Sequence, residues 1–92
     1  LAMAGTKPFA DIGRNGIEYV YWINGTDIEG VRLDRGGNEL ESPFTAVSGG
    51  VDPGGGACVV YPLPGGVHRV VLRYFASGAR TVKTSYDGIT FI

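Results

Sequence analysis

The chain contains two similar stretches of sequence, and this internal repeat is the feature that most restricts its fold. The first stretch runs from Asn15 to Leu40, and the second begins about 50 residues later at Gly65 and ends at Phe91. Aligned positions carry glycine, aspartate or an apolar residue in both copies: Gly16 and Gly66, Val20 and Val70, Trp22 and Leu72, Gly25 and Gly78, Asp34 and Asp87, Leu40 and Phe91. The chain is therefore built from two related units.

Each repeat has the pattern of several short β-strands. Period-two and fully apolar runs recur, and the 3.6-residue period of an amphipathic helix is absent. Strands are predicted over eight ranges: Pro8–Ile12, Ile17–Ile23, Asp27–Leu33, Ser42–Val47, Ala57–Tyr61, Val67–Phe75, Arg80–Tyr86 and Thr90–Ile92. A self-similar period of about 40 to 50 residues made of short strands is typical of β-propeller blades. The sequence therefore predicts an all-β fold with two blades of three to four antiparallel strands each.

The 92 residues are enough for one domain. We predict a single two-blade unit over residues 1–92, with the first repeat at about 7–50 and the second at about 54–92. The turn-rich stretch Ser48–Gly56 is the natural boundary between them. Residues 1–5 are predicted to act as a closing outer strand for the second blade.

The two longest predicted strands are apolar on both faces over most of their length. Tyr19 and Tyr21 alternate with Val20 and Trp22, and the second long strand shows a similar pattern. A sheet with one solvated face would alternate between apolar and polar residues. Small sheets packed between two neighbours, as in a propeller, have no such face. We therefore expect a six-bladed ring, either from three copies of the chain or with other blades of a longer parent chain.

Hairpin turns follow several of the predicted strands. Asn24-Gly25 is the pair preferred in a type I′ turn, in which both central residues need positive φ. Asp87-Gly88 marks the last hairpin. It lies within Ser85-Tyr-Asp-Gly-Ile-Thr-Phe91, which resembles the Asp-box of sialidase-like propellers (BNR repeats), although it is one residue shorter between Asp87 and Thr90. The blades also resemble those of phage tail and virion proteins.

The resemblance implies a structural role for the box residues Ser85, Asp87, Gly88 and Phe91. In such a turn the aspartate accepts hydrogen bonds from turn amides, and the aromatic residue fills the space between hairpins. A sialidase would also need an arginine cluster and a tyrosine nucleophile paired with a carboxylate. Arg69 and Arg73 fall on one face of their strand and Tyr74 on the other, so the sequence predicts no catalytic site.

The remaining candidates for ligand contact are aromatic and arginine side chains on the long strands. Aromatic rings present flat apolar faces that suit sugars. The candidate ligand-binding residues are Tyr19, Tyr21, Arg69, Arg73 and Tyr74. The alternative for the tyrosines is that they fill space between blades. For Arg69 and Arg73 it is that they line an inter-blade surface or pair with acids such as Glu18 and Asp27.

Composition excludes several partners. The net charge is −1, and the eight lysine and arginine residues are scattered without a visible basic patch, which argues against a nucleic-acid partner. No stretch approaches the roughly 20 apolar residues that span a bilayer, which argues against membrane insertion. The single cysteine, Cys58, excludes an internal disulfide. No cofactor and no metal site are predicted.

The sequence thus favours a non-catalytic binding or assembly module, with a glycan or cell surface as ligand and an extracellular or virion-associated location. Two alternatives stay open. The chain is a structural component of a virion or phage with no small ligand, or it is a fragment of a sialidase-like hydrolase.

Overall fold

A computed structural model describes residues 7–92, and these residues form two antiparallel β-sheets. The strands are β1 (Phe9–Ile12), β2 (Glu18–Asn24), β3 (Asp27–Leu33), β4 (Phe44–Val47), β5 (Ala57–Pro62), β6 (His68–Ala76) and β7 (Ala79–Ser85). The first sheet has the order β1-β2-β3-β4 and the second β5-β6-β7. One 3₁₀ turn, Pro64–Gly66, connects β5 to β6. The prediction of an all-β fold with antiparallel sheets of three to four strands is confirmed. Residues 1–5, predicted as a closing strand, lie outside the described residues.

The strand predicted at Thr90–Ile92 is wrong. These residues follow a turn in which the amides of Ile89 and Thr90 donate to the carboxylate of Asp87, at 2.8 and 2.9 Å. Those donors are therefore unavailable to a sheet ladder. Only Ile92 pairs with β7, exchanging two backbone hydrogen bonds of 3.0 Å with Thr84. The strand predicted from Ser42 also begins two residues later, after Pro43, which has no amide hydrogen to donate.

The first of the two long hairpins uses a different turn from the one predicted. Asn24 stays in β2 opposite Asp27, so the loop is Gly25-Thr26 and only its glycine has positive φ, at 64°. The type I′ prediction for Asn24-Gly25 is therefore wrong. The pattern with two positive φ values occurs in the second hairpin, where Ser77 has φ 51° and Gly78 has φ 76°.

Both sheets contribute to one hydrophobic core. The first sheet supplies Tyr19, Tyr21 and Ile23 from β2, and the second supplies Val70 and Leu72 from β6. Leu72 and Tyr21 are fully buried. The ring of Tyr21 packs edge-on against Phe91, with centroids 5.6 Å apart. Phe91, near the end of the second repeat, therefore packs against this core. The inner face of each sheet is therefore the one that meets the other sheet.

The outer face of the first sheet is also buried. Val20, Trp22 and Val31 form a second cluster there, with exposures of 6%, 2% and 0%. The indole nitrogen of Trp22 donates to Glu29 at 3.1 Å, which satisfies its one polar group. The centre of the first sheet is therefore apolar and buried on both faces.

The linker between the sheets, from β4 to β5, is fixed to both hairpins. The amide of Val51 donates to the carbonyl of Thr26 in the first hairpin, at 2.9 Å. The carboxylate of Asp52 accepts from the amides of Ser77 and Gly78 in the second hairpin, at 3.1 and 2.7 Å. These contacts tie the turn-rich segment to the ends of both sheets.

Candidate functional site

The outer face of the second sheet carries three arginines. Cross-strand pairing brings Arg73 of β6 opposite Val82 of β7, and Phe75 opposite Arg80. Arg69 lies on the same face of β6, opposite Tyr61 of β5. We call this surface the arginine face and define it by Tyr61, Arg69, Val71, Arg73, Phe75, Arg80 and Val82. It combines arginine side chains with the exposed rings of Tyr61 and Phe75.

The arginine face is open to solvent at its apolar positions. Tyr61, Phe75 and Val82 are 43%, 48% and 51% exposed, although Val71 at the centre is buried. Isolated exposed apolar residues are common on protein surfaces, but a group on one sheet face indicates a contact surface. This face therefore differs from the outer face of the first sheet.

Two hollows lie on the arginine face, and Arg73 and Val82 line both. One hollow, of about 520 Å³, extends over Phe75 and Arg80 to the glycines of the linker. The other, of about 500 Å³, extends over Tyr61 and Arg69. Each hollow thus places guanidinium groups beside an aromatic ring. Such walls suit an anionic or ring-shaped group.

No acidic residue neutralises the arginine face from within its own sheet. Residues 53–86 contain Arg69, Arg73, Arg80 and Lys83 but no aspartate or glutamate. Within residues 7–92 the ion pair present is that of Arg32 and Glu41, 2.7 Å apart. Arg69 and Arg73 therefore form no ion pair with Glu18 or Asp27 within residues 7–92 of one chain. The view of the basic residues as scattered is wrong for this sheet, because strand register gathers three of them on one face.

The candidate ligand-binding residues separate into two groups. Arg69 and Arg73 are exposed on the arginine face. Tyr19 and Tyr21 are 3% and 0% exposed in the shared core, and Tyr74 is 4% exposed on the inner face. Burial raises the pKa of Tyr74, and it raises the pKa of Tyr21 far above its ordinary value. Tyr74 also lines the first hollow, but its side chain lies on the inner face, so none of the three tyrosines is assigned to the arginine face.

Strand alternation predicts Phe75 on the same face as Arg69 and Arg73, although Phe75 was not among the candidates for ligand contact. Sequence reasoning did not relate Tyr61 or Arg80 to this face. Arg80 lies seven residues after Arg73, and strand alternation alone does not relate residues on different strands. The signal that relates them is the turn at Ser77-Gly78, because a two-residue loop fixes the register of the whole hairpin. A turn one residue longer or shorter would place Arg80 on the opposite face.

The side chains of Ser85 and Asp87 bind each other and the backbone amides of the turn that follows β7. Asp87 Oδ1 accepts from the hydroxyl of Ser85 at 2.8 Å, in addition to the two amides beyond it. Ser85 Oγ accepts from the amide of Gly88 at 2.9 Å. The amide of Thr90, followed by that of Ile89, holds the pKa of Asp87 below its ordinary value. Asp87 Oδ1 is therefore engaged by the turn itself.

The same turn is anchored to the first sheet. The hydroxyl of Tyr21 donates to the carbonyl of Gly88 at 2.6 Å. Gly88 has φ +81°, and a Cβ there would lie 2.6 Å from the ring of Tyr19. Only glycine fits this contact without displacement.

The equivalent aspartate of the first repeat makes a similar turn. Asp34 Oδ1 accepts from the amides of Gly36 and Asn38, both at 2.9 Å. The amide of Asn38, followed by that of Gly36, lowers the pKa of Asp34. Both repeats thus use one carboxylate to organise the loop after their third strand.

Two negative findings apply to the described residues. Within residues 7–92, no three histidine, cysteine, aspartate or glutamate side chains lie together in a way that would hold a metal ion. That part of the chain also has no helix with the length and hydropathy needed to cross a bilayer.

Comparison of the chain with protein-family models, with curated proteins and with solved structures finds no match.

Proposed function

We propose that the protein is a non-catalytic binding and assembly module whose two sheets act as blades of a β-propeller. In this proposal other blades complete the ring, and three identical chains supply six blades. The alternative source is the remainder of a longer parent chain. The repeated hairpins, the Asp34 and Asp87 turns and the stacking of two small sheets support the proposal.

The observation that carries the proposal is the exposed apolar surface of the arginine face. Burying a valine or phenylalanine side chain completely stabilises a protein by about 1.5–3 kcal/mol. Phe75, Val82 and Tyr61 are each about half buried, so another sheet packed on them would add several kcal/mol before the cost of association is counted. A propeller blade has a neighbour on each face, and the arginine face is where the second blade has none within residues 7–92.

Light scattering over a range of concentrations tests the assembly. We expect a mass near three chains at micromolar concentration and dissociation on dilution. Val82→Lys should shift the equilibrium toward the monomer, because it places a charge in the buried contact. Leu40→Lys is the matched control, since Leu40 is 45% exposed in the first repeat, away from this face. A cooperatively folded monomer at all concentrations would overturn the proposal.

The absence of catalysis is part of the proposal, and geometry supports it. The arginine pair and Tyr74 lie on opposite faces of β6, as the strand alternation predicts. The pKa of Tyr74 is raised, so its hydroxyl is not activated as a nucleophile. A chromogenic sialoside assay on the purified protein should show no turnover. Turnover that is lost in Tyr74→Phe would favour the hydrolase-fragment alternative.

Glycan binding is the second candidate function, and the two hollows favour it. Arginine forks bind carboxylate or sulfate groups in two-point contacts, and rings such as Tyr61 pack on sugar faces. A glycan array tests this, with Arg73→Ala expected to lose any signal since Arg73 lines both hollows. Stable oligomers that bind no glycan would favour a purely structural component of a virion. Either role fits our proposal of an extracellular or virion-associated location.

A further inference from the structure

The charges of the chain are divided between the two repeats. Residues 7–52 contain eight acidic and four basic residues, whereas residues 53–92 contain four basic residues and one acidic residue, Asp87. The halves therefore carry formal charges of opposite sign. Copies of such a chain attract each other when they associate head to tail, and repel each other when like halves meet.

The contact between the two sheets within the chain joins faces that are not equivalent. The first sheet contributes the face with Tyr21, and the second contributes the face with Leu72. In the repeat alignment Leu72 corresponds to Trp22, which lies on the opposite, outer face of the first sheet. The contact between the two sheets is therefore heterologous, because it joins two different faces of the repeat. A further sheet can pack on the second sheet through the same pair of faces.

Applying this relation once more places the arginine face against the outer face of the first sheet in another copy. That outer face carries Glu18 and Glu29, because strand alternation puts them on the side of Trp22 and Val31. Ile12, on the same face opposite Glu18, is 61% exposed. Since Trp22 is already buried, a second copy would contact the acidic and apolar rim of this face and not its centre.

We propose that the arginine face binds the acidic outer face of the first sheet in a second copy of the chain, with Arg69 and Arg73 facing Glu18 and Glu29. This inference rests on the proposed assembly function and names the surface that the next copy presents. Opposed charges at such a contact set the orientation and speed the encounter of the chains. They disfavour a two-fold dimer through two arginine faces, since like charges would then meet.

Charge reversal on each side tests this pairing. The first variant carries Arg69→Glu and Arg73→Glu, and the second carries Glu18→Lys and Glu29→Lys. The matched control carries Arg14→Glu and Arg35→Glu, two exposed arginines of the first repeat with the same change in charge. Glu29 accepts a hydrogen bond from Trp22, so Glu18→Lys alone is the substitute if the double acidic variant does not fold. Circular dichroism verifies folding, and light scattering at low and high salt measures assembly.

We expect each reversed variant to self-associate about tenfold more weakly than the unmodified chain at low salt, and the control to associate normally. In an equimolar mixture the two reversed variants should associate with each other in alternating order, because each reversed face then meets an opposite charge. A closed ring of three cannot alternate two kinds of chain, so the mixture should form complexes with equal numbers of the two variants and not the trimer. Assembly of the unmodified chain should weaken as salt is raised.

The outcomes separate this inference from the proposed function. An unmodified chain that stays monomeric contradicts assembly itself. A chain that assembles normally after reversal of Arg69 and Arg73 contradicts the inference alone, since the contact then lies elsewhere. Reversed variants that are monomeric but fail to associate when mixed contradict the pairing of the arginine face with Glu18 and Glu29. Binding of a sulfated glycan to a monomeric chain through Arg73 would also contradict the inference that the arginine face binds a second copy of the chain.

Discussion

The two sheets have similar strand patterns but differ in what covers them. In the first sheet, residues of both faces are buried, as with Tyr21 on one side and Trp22 on the other. In the second sheet, Leu72 on the inner face is buried while Phe75 and Val82 on the outer face are half exposed. An apolar pattern on both faces of a strand therefore indicates that either face can pack against another sheet. The arrangement of the whole chain determines which of these faces is buried.

The largest expected effect is at Trp22, which belongs to the doubly buried sheet. Trp22→Ala should cost about 3–5 kcal/mol of unfolding free energy, the range for truncating a large buried aromatic. Urea denaturation followed by circular dichroism measures this cost. Phe75→Ala on the open face should cost much less in the monomer, because half of that ring is already in water. Equal costs at the two positions would contradict the difference between the sheets.

A second effect tests how the end of the second repeat is attached to the first sheet. Gly88→Ala should destabilise the chain by about 2–4 kcal/mol, because it combines a positive φ with a clash against the ring of Tyr19. Gly37→Ala is the control, since Gly37 has φ +82° but open space around its Cβ position. It should cost only about 1 kcal/mol. Thermal unfolding of both variants separates the clash from the backbone strain that they share.

A third effect concerns the two aspartate turns and depends on pH. The pKa of Asp87 is lowered in the folded chain, so folding favours its ionised form. Its contribution is therefore complete above the ordinary value of 3.8 and is lost as pH falls through the lower folded value. Asp87→Ala should cost about 1 kcal/mol at pH 7, and this cost should shrink in acid. Unfolding measured from pH 7 to pH 2 checks the direction. A cost that is constant with pH would show that the carboxylate charge does not stabilise the turn.

Much of the fold is predictable from local signals. Alternation and turn residues predict seven of the seven described strands within about two residues at each end, because strand period and glycine-rich turns are local properties. The error at Thr90–Ile92 arose because the Asp87 carboxylate competes with strand pairing for backbone amides. The arginine face was not predicted, since it depends on register across the hairpin at Ser77-Gly78. The burial of Tyr19 and Tyr21 agrees with the predicted alternative to ligand contact, in which these rings fill space. Alternation defines two faces of β2 but does not identify which face meets the second sheet.

The smallest expected effect on the folded monomer is at Val82, on the open face. Val82 is 51% exposed, so Val82→Ala should change the unfolding free energy of the monomer by less than about 0.5 kcal/mol, as is usual for surface substitutions. Val71→Ala is the informative partner, because Val71 lies on the same face but is only 5% exposed and should cost about 1–2 kcal/mol in the monomer itself. Denaturation at concentrations below the onset of association measures both costs. At concentrations that favour assembly, the cost of Val82→Ala should rise toward that of Val71→Ala, because a partner would then bury both side chains. A cost at Val82 that does not depend on protein concentration would show that the arginine face stays open to water in every state of the protein.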